Sequence, residues 1–210
     1  LNIIGAALDE LHRCFDILNA KYYEGKLPEP VISIQKSRPN NLGHFTLGKV
    51  WKNQNETENE ESARYEININ PVNMNRPAEE IIETLHHEMV HYVNRQNEIK
   101  DCNGQVHNKK FKTAAERVGL ICEKSKQYGW GYTSLSESLK TFIVEEMKPD
   151  PKAFKYFRLG SVVPVKVKKP REKKSFKYIC SGCDQTAKAG RDAKIKCGNC
   201  DELMETNDED

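Results

Sequence analysis

An α+β domain followed by a small four-cysteine module is the architecture this sequence predicts, and three observations predict it. Helix-like and strand-like hydrophobic patterns alternate up to about residue 146. The composition then turns to Lys and Pro from Pro149 onward, and two CxxC pairs close the chain. Apolar residues recurring every three or four positions mark helices, and strict alternation marks half-buried strands.

Taken in order, residues 6–24 place Leu8, Leu11, Phe15, Leu18 and Tyr22 on one helical stripe that ends near Gly25. Pro28 and Pro30 forbid further helix. Residues 31–35 (VISIQ), 43–51 (GHFTLGKVW) and 64–70 (RYEININ) read as strands, with the polar stretch 52–62 as an exposed hairpin loop. Pro77 opens a second helix, with Glu79 and Glu80 suited to its N-terminus and Ile82, Leu85, Met89 and Val93 as its apolar stripe. Further helices are expected over 108–118, ending at Gly119, and over 136–146. The resulting organisation is a main domain over 1–150, a basic Pro/Lys-rich linker over 151–175, a four-cysteine module over 176–204 and an acidic tail over 205–210.

Charge is unevenly spread. The 210 residues are 37% hydrophobic and 30% charged, and their net charge of +2 hides two blocks. Residues 165–177 carry seven Lys/Arg against one Glu, whereas 201–210 carry six acids and no base. Such blocks are by default solvated, although a basic run beside a folded module also suits a polyanionic partner. No run of about 18 apolar residues occurs, so no membrane span is expected. The first residues, LNIIGAALDE, lack a charged n-region and a cleavage site, so no signal peptide is expected either. An odd total of seven cysteines with CxxC pairing argues for metal over disulfides, and so for a reducing cytoplasm.

The stretch TLHHEMVHYVN on the second helix carries the chemistry. His87 and His91 stand four apart, about 40° around the helix and one turn along, so both imidazoles can reach one ion. Glu88 between them completes HExxH, in which the carboxylate can take a proton from water beside the metal. His86 lies about 100° round from His87 and is expected to pack or to support the ligands. A third ligand is required. Asn94 and Asn97 rule out the HExxHxxGxxH extension, and His107 at the entrance to the next helix is the best candidate. His12, His44, Glu98 and Asp101 are the weaker alternatives. Cys180, Cys183, Cys197 and Cys200, spaced x2-x13-x2, have the layout of a closed tetrathiolate zinc site. A dithiol redox role competes only where a single CxxC is present. One catalytic and one structural zinc are therefore expected.

Five ordered blocks extend this reading: FDILNAKYYEGKLPEPVISIQ, NLGHFTLGKVW, YEININP, EEIIETLHHEMVHYVN and HNKKFKTAAERVGL. In these the chain resembles the SprT-like zinc metalloproteases, relatives of the DNA–protein crosslink protease Spartan, over about residues 10–122. The terminal cysteines look like the zinc ribbon of bacterial members. The resemblance implies a minimal zincin-type fold, with helices on a small mixed sheet. It makes His87, His91 and His107 the zinc ligands and Glu88 the general base. It also implies a peptide substrate laid along an edge strand. The family pattern does not fix the group that stabilises the oxyanion; Tyr128 and Tyr132 are the candidates.

The expected function is a zinc endopeptidase acting on DNA-associated or DNA-crosslinked proteins. The basic linker and ribbon would contact DNA, with Phe176 and Tyr178 either stacking on bases or packing behind the ribbon. The alternative is a non-catalytic zinc-containing DNA-binding or regulatory adaptor that retains a zincin shell. A metal-dependent hydrolase of another substrate class is a third reading that HExxH alone admits.

Overall fold

The computed structural model describes residues 2–38, 40–54, 62–160, 176–189 and 193–206. Most of the acidic loop 52–62, the basic run up to residue 175 and the end of the acidic tail lie outside the described residues. The chain divides into two units, Leu1–Gly160 and Ser161–Asp210.

In the first unit, Asn2 caps α1 (Ile3–Tyr22) by accepting from the Gly5 N–H at 3.0 Å, which starts the helix before the expected residue 6. Its buried face is Ala7, Leu11, Cys14, Phe15 and Leu18. Strand β1 (Val31–Ser33) then runs parallel to β3 (Glu66–Ile69), and β2 (Gly43–Phe45) runs antiparallel to it. The order β1-β3-β2 leaves β2 at an edge.

Two of these strands are shorter than their sequence pattern. β1 stops at Ser33 because the buried Asn68 side chain takes over the pairing. Its Oδ1 accepts from the Gln35 N–H at 2.7 Å and its Nδ2 donates to the Gln35 carbonyl at 2.9 Å. β2 stops at Phe45 because, although the Thr46 N–H still donates to the Glu66 carbonyl at 3.0 Å, the Glu66 N–H turns to the Thr46 side-chain oxygen at 2.9 Å. Leu47 and Val50 beyond it are exposed, and among the described residues pairing resumes as an isolated bridge between Trp51 and Arg64.

Helix α2 (Ala78–Gln96) begins after Pro77 with Glu79 and Glu80 in its first turn. It is buried well beyond the expected stripe, with Ile81, Val90, Tyr92 and Asn94 inside as well as Ile82, Leu85 and Met89. α1, α3, β2, β3 and β7 all pack around it. At about 1.5–3 kcal/mol per fully buried large apolar side chain, this helix is the chief organiser of the core.

A second mixed sheet follows, for which the sequence pattern carried no expectation. It comprises β4 (Cys102–Asn103), β5 (Val106–His107), β6 (Leu120–Ser125) and β7 (Gly129–Leu135), in the order β4-β5-β7-β6. α3 (Lys109–Arg117) lies between β5 and β6 in sequence, and Asn108 caps it by accepting from the Lys110 and Phe111 N–H groups. β5 and β7 pair in parallel at His107 and Gly129. α4 (Glu137–Thr141) runs on as a π-helical turn over Phe142–Met147. Residues 151–160, expected as linker, instead pack on this unit. Phe154 is buried in its core, and the Arg158 N–H donates to the Pro71 carbonyl at 2.9 Å.

In the second unit, β8 (Phe176–Ile179), β9 (Thr186–Ala189) and β10 (Glu205–Thr206) form an antiparallel sheet in the order β10-β8-β9. Among the described residues, its buried apolar cluster is Tyr178, Cys180, Cys197 and Met204. The architecture is α+β, as expected, with helices and mixed sheets and a terminal four-cysteine cluster compatible with a zinc ribbon.

Candidate metal centres

Helix geometry brings His87 and His91 to one face of α2, and the β5–β7 pairing brings His107 up to them. His107 Nε2 lies 3.2 Å from His87 Nε2 and 3.1 Å from His91 Nε2. The opposite nitrogen of each ring has a partner. His87 Nδ1 is 3.1 Å from Thr133 Oγ1, His91 Nδ1 is 2.7 Å from Asp101 Oδ2, and His107 Nδ1 is 3.2 Å from the Tyr128 carbonyl. A carboxylate and a carbonyl can only accept, so His91 and His107 carry their protons on Nδ1. Thr133 donates its own proton to Glu83 Oε1 at 2.9 Å, which leaves it as an acceptor for His87 Nδ1–H.

With Nδ1 partnered in every ring, Nε2 is the atom each ring turns to the centre, and neutral rings would meet there lone pair to lone pair. Neutral imidazoles at that spacing repel unless a cation sits among them. Three bonds of about 2.0–2.1 Å to one zinc would hold such nitrogens roughly 3.4 Å apart, so the donor set fits that ion. Burial first, then the neighbouring imidazoles, push His87 well below the ordinary histidine value, and the same causes bring His107 down to about 4. Both rings are thus held neutral, the form a metal ligand needs.

Phe111, fully buried on α3, forms the apolar floor of the site. Its ring centroid lies 4.7, 4.7 and 4.5 Å from those of His87, His91 and His107. The sequence pattern shows Phe111 only as a core position of α3. Glycine clears the opposite side, since a Cβ at Gly131 would stand 2.4 Å from His107 Nδ1. Gly131→Ala should accordingly displace the His107 ring and lower metal affinity at this site by at least tenfold. Chelator competition measures this, and an unchanged affinity would show that the ring has room to spare.

Asp101 stands behind His91 as an orienting carboxylate and does not replace a ligand. The chain does turn back sharply after α2, through Glu98 at φ +56°, but it delivers Asp101 to Nδ1 and leaves Glu98 exposed. Burial alone would raise the Asp101 carboxyl; His91 and the Asn94 amide at 3.0 Å outweigh it and hold it low. Cys102 lies beside it, but burial and Asp101 push its thiol up to about 12, so it stays protonated. The His91–Asp101–Cys102 grouping is therefore the back of this centre.

His86 is fully buried, with Nε2 3.0 Å from the Val118 carbonyl and its ring against Tyr22 and Tyr23. It packs the core and touches none of the ligands' outer nitrogens. His12 sits 3.5 Å from Glu29, and His44 on β2 lies beside Asn68. Tyr132 is exposed, and Tyr128 contributes its carbonyl to His107.

Glu88 is buried against β2. A Cβ at Gly43 would stand 3.3 Å from Glu88 Oε1 and 2.9 Å from the Asn68 carbonyl, so only glycine lets the strand approach so closely. Burial raises the Glu88 carboxyl to about 7, opposed by His91 and by a hydrogen bond from the Phe45 backbone. A SprT-like family model matches residues 11–128, more than half of the chain. The chain belongs to the SprT-like family. No curated protein and no solved structure gives a significant match. The SprT-like match runs from Leu11, within α1, to Tyr128, and so contains all three histidines and Glu88. It identifies a metalloprotease-type domain.

Beyond the SprT-like match, the four cysteine sulfurs of the second unit lie within 4.8 Å of one another. Two equivalent turns build the cluster. Asp184 N–H donates to the Cys180 carbonyl (2.9 Å) and Cys180 N–H to that of Gln185 (3.0 Å). Likewise, Asp201 N–H donates to the Cys197 carbonyl and Cys197 N–H to that of Glu202, both at 2.8 Å. Asp184 and Asp201 share left-handed backbones, at φ +56° and +57°. Cys183 Sγ and Cys197 Sγ are 3.5 Å apart, far beyond a disulfide bond and close to the roughly 3.8 Å edge of a zinc tetrathiolate. Backbone N–H groups of Asn199 and Cys200 bring Cys197 down to about 7, whereas the Cys183 thiol and burial push Cys200 up to about 12. Tyr178 is buried in this unit's core, where it presents no free face to a base. Both donor sets are compatible with zinc. No helix among the described residues is long and apolar enough to cross a membrane.

Proposed function

We propose that the chain is a zinc-dependent endopeptidase that takes its substrate as an extended strand and acts on DNA-associated proteins. The observation that carries the reading is the convergence of three Nε2 lone pairs beside a buried carboxylate, with a free strand edge next to it. His87, His91 and His107 would hold the ion, and Cys180, Cys183, Cys197 and Cys200 a second, structural one. Zinc supplies a Lewis acid and makes water acidic near neutral pH.

The chain's own groups do the rest. Among the described residues β2 is paired with β3 on one side only, so the outward backbone groups of Gly43 and the Phe45 carbonyl can bond to a peptide added as a further strand, while the Phe45 N–H is held by Glu88. Such a strand would run past Glu88, whose carboxylate would accept a proton from the attacking water and return it to the departing amine. Phe111 and the buried flank of α2 keep bulk water from the ring side of the ligands. The seven cations of 165–177, which begin outside the described residues, and the ribbon would hold DNA.

Full-length protein should carry two zincs per chain and cleave an unfolded protein substrate, faster when that substrate is tethered to DNA. DNA affinity should fall steeply with salt and drop on removal of 165–210. A chain loaded with both zincs that binds DNA without any cleavage, self-cleavage included, would instead be the non-catalytic adaptor.

A further inference from the structure

We propose that Thr133 and Glu83 act together as positioning residues that fix the tautomer of His87 and so set the affinity of the three-histidine centre for its metal. The inference rests on the zincin reading of that centre, and nothing in the HExxH motif or the family match assigns either residue a role.

The three histidines are supported unequally. His91 leans directly on a carboxylate and His107 on a backbone carbonyl, both obligate acceptors. His87 leans on a hydroxyl, which can donate or accept and would alone leave the ring free to present either nitrogen protonated. Glu83 removes that ambiguity. It lies one helical turn before His87 on α2 and takes the Thr133 hydroxyl proton at 2.9 Å. A hydroxyl has one proton, so the face turned to His87 Nδ1 at 3.1 Å is a lone pair. Nδ1 must then carry the hydrogen, and Nε2 must offer its lone pair to the ion.

The relay also brings negative charge towards the metal. An outer carboxylate makes a ligating imidazole more basic, and loss of such a partner typically weakens metal binding 10–100-fold. Burial raises the Glu83 carboxyl, opposed by the Thr133 hydroxyl and by Arg76; in its ionised form it joins Asp101 in placing a carboxylate behind two of the three ligands. Thr133 sits on β7 and Glu83 on α2, so the same two bonds lock the second sheet to the helix that carries the motif.

The test uses the full-length chain and reads metal, not proteolysis. Zinc affinity is measured by competition with a chromophoric chelator. Cobalt substitution reports the nitrogen-ligated site separately, because the ribbon thiolates add a charge-transfer band that imidazoles lack. Thr133→Val keeps the β-branched shape suited to a strand but removes the hydroxyl. It should lose 10–100-fold in affinity and shift the cobalt ligand-field band. Thr133→Ser should retain wild-type behaviour. Glu83→Gln keeps an acceptor but loses the charge, and should fall between the two.

A packing role predicts the opposite order, with Val neutral and Ser weakened, and that order overturns the proposal. So does a Val variant indistinguishable from wild type. If Thr133→Val does not fold when stripped of metal, Glu83→Gln decides alone, and unchanged affinity there counts against the relay. A wild-type chain with no nitrogen-ligated cobalt band overturns the zincin reading as well, which separates the two failures.

Discussion

Glu88→Gln should leave a folded chain with two zincs and remove peptide hydrolysis by a factor of about 10²–10⁴. The substitution is nearly isosteric, which matters because Glu88 is buried and its Oε1 lies against Gly43. One amide oxygen remains to accept from the Phe45 backbone, so the strand edge keeps its place. What is lost is a group able to take and return a proton. Burial pushes the carboxyl up to about 7, and a dication held by the neighbouring histidines would favour its ionised form. The comparison is kcat/KM on an unfolded protein substrate, with metal content measured on the same samples. Equal rates for variant and wild type would remove Glu88 from the mechanism.

Cys183→Ser should reduce the zinc count from two to one and unfold the second unit alone. Cys183 is the one exposed member of its cluster, so the change disturbs no packing and tests ligation directly. Among the described residues the unit's apolar core is small: Tyr178 and Met204 are buried beside two of the sulfurs, with Phe176 and Ile195 partly buried against them. A structural zinc contributes roughly 10–16 kcal/mol in small modules of this kind, more than so small a core can replace. Limited proteolysis should then open 176–206 while the first unit keeps its thermal transition. Retained protection of 176–206 in the zinc-depleted variant would show that the fold does not need the ion.

The sequence made the helices and the meeting of His87 with His91 legible and left the second sheet hidden, for physical reasons. His87, Glu88 and His91 share one helical turn, so their spacing alone places them together. The two CxxC pairs are likewise local. β7 (GWGYTSL) was obscured because two glycines occupy positions where a strand pattern would show side chains, yet Gly131 is required there to admit the His107 ring. β4 and β5 have two residues each, too few for any periodicity. Asp101, Thr133 and Glu83 were unreadable as ligand supports, because each reaches its histidine across a fold contact and not along a helix. Asn68 truncated β1 for the same reason, through a side chain that imitates a strand.

The brevity of β5 has a consequence for how the site assembles. Two of its ligands exist as soon as α2 winds, whereas the third, 16 residues beyond His91, arrives only after β4 and β5 turn back and β7 docks alongside. Nascent or partly unfolded chains therefore offer an ion two nitrogens in place of three, and release it readily. Metal retention becomes a gauge of completed tertiary structure. If the centre is hydrolytic, as proposed, it would be completed last, once the chain that carries it has folded.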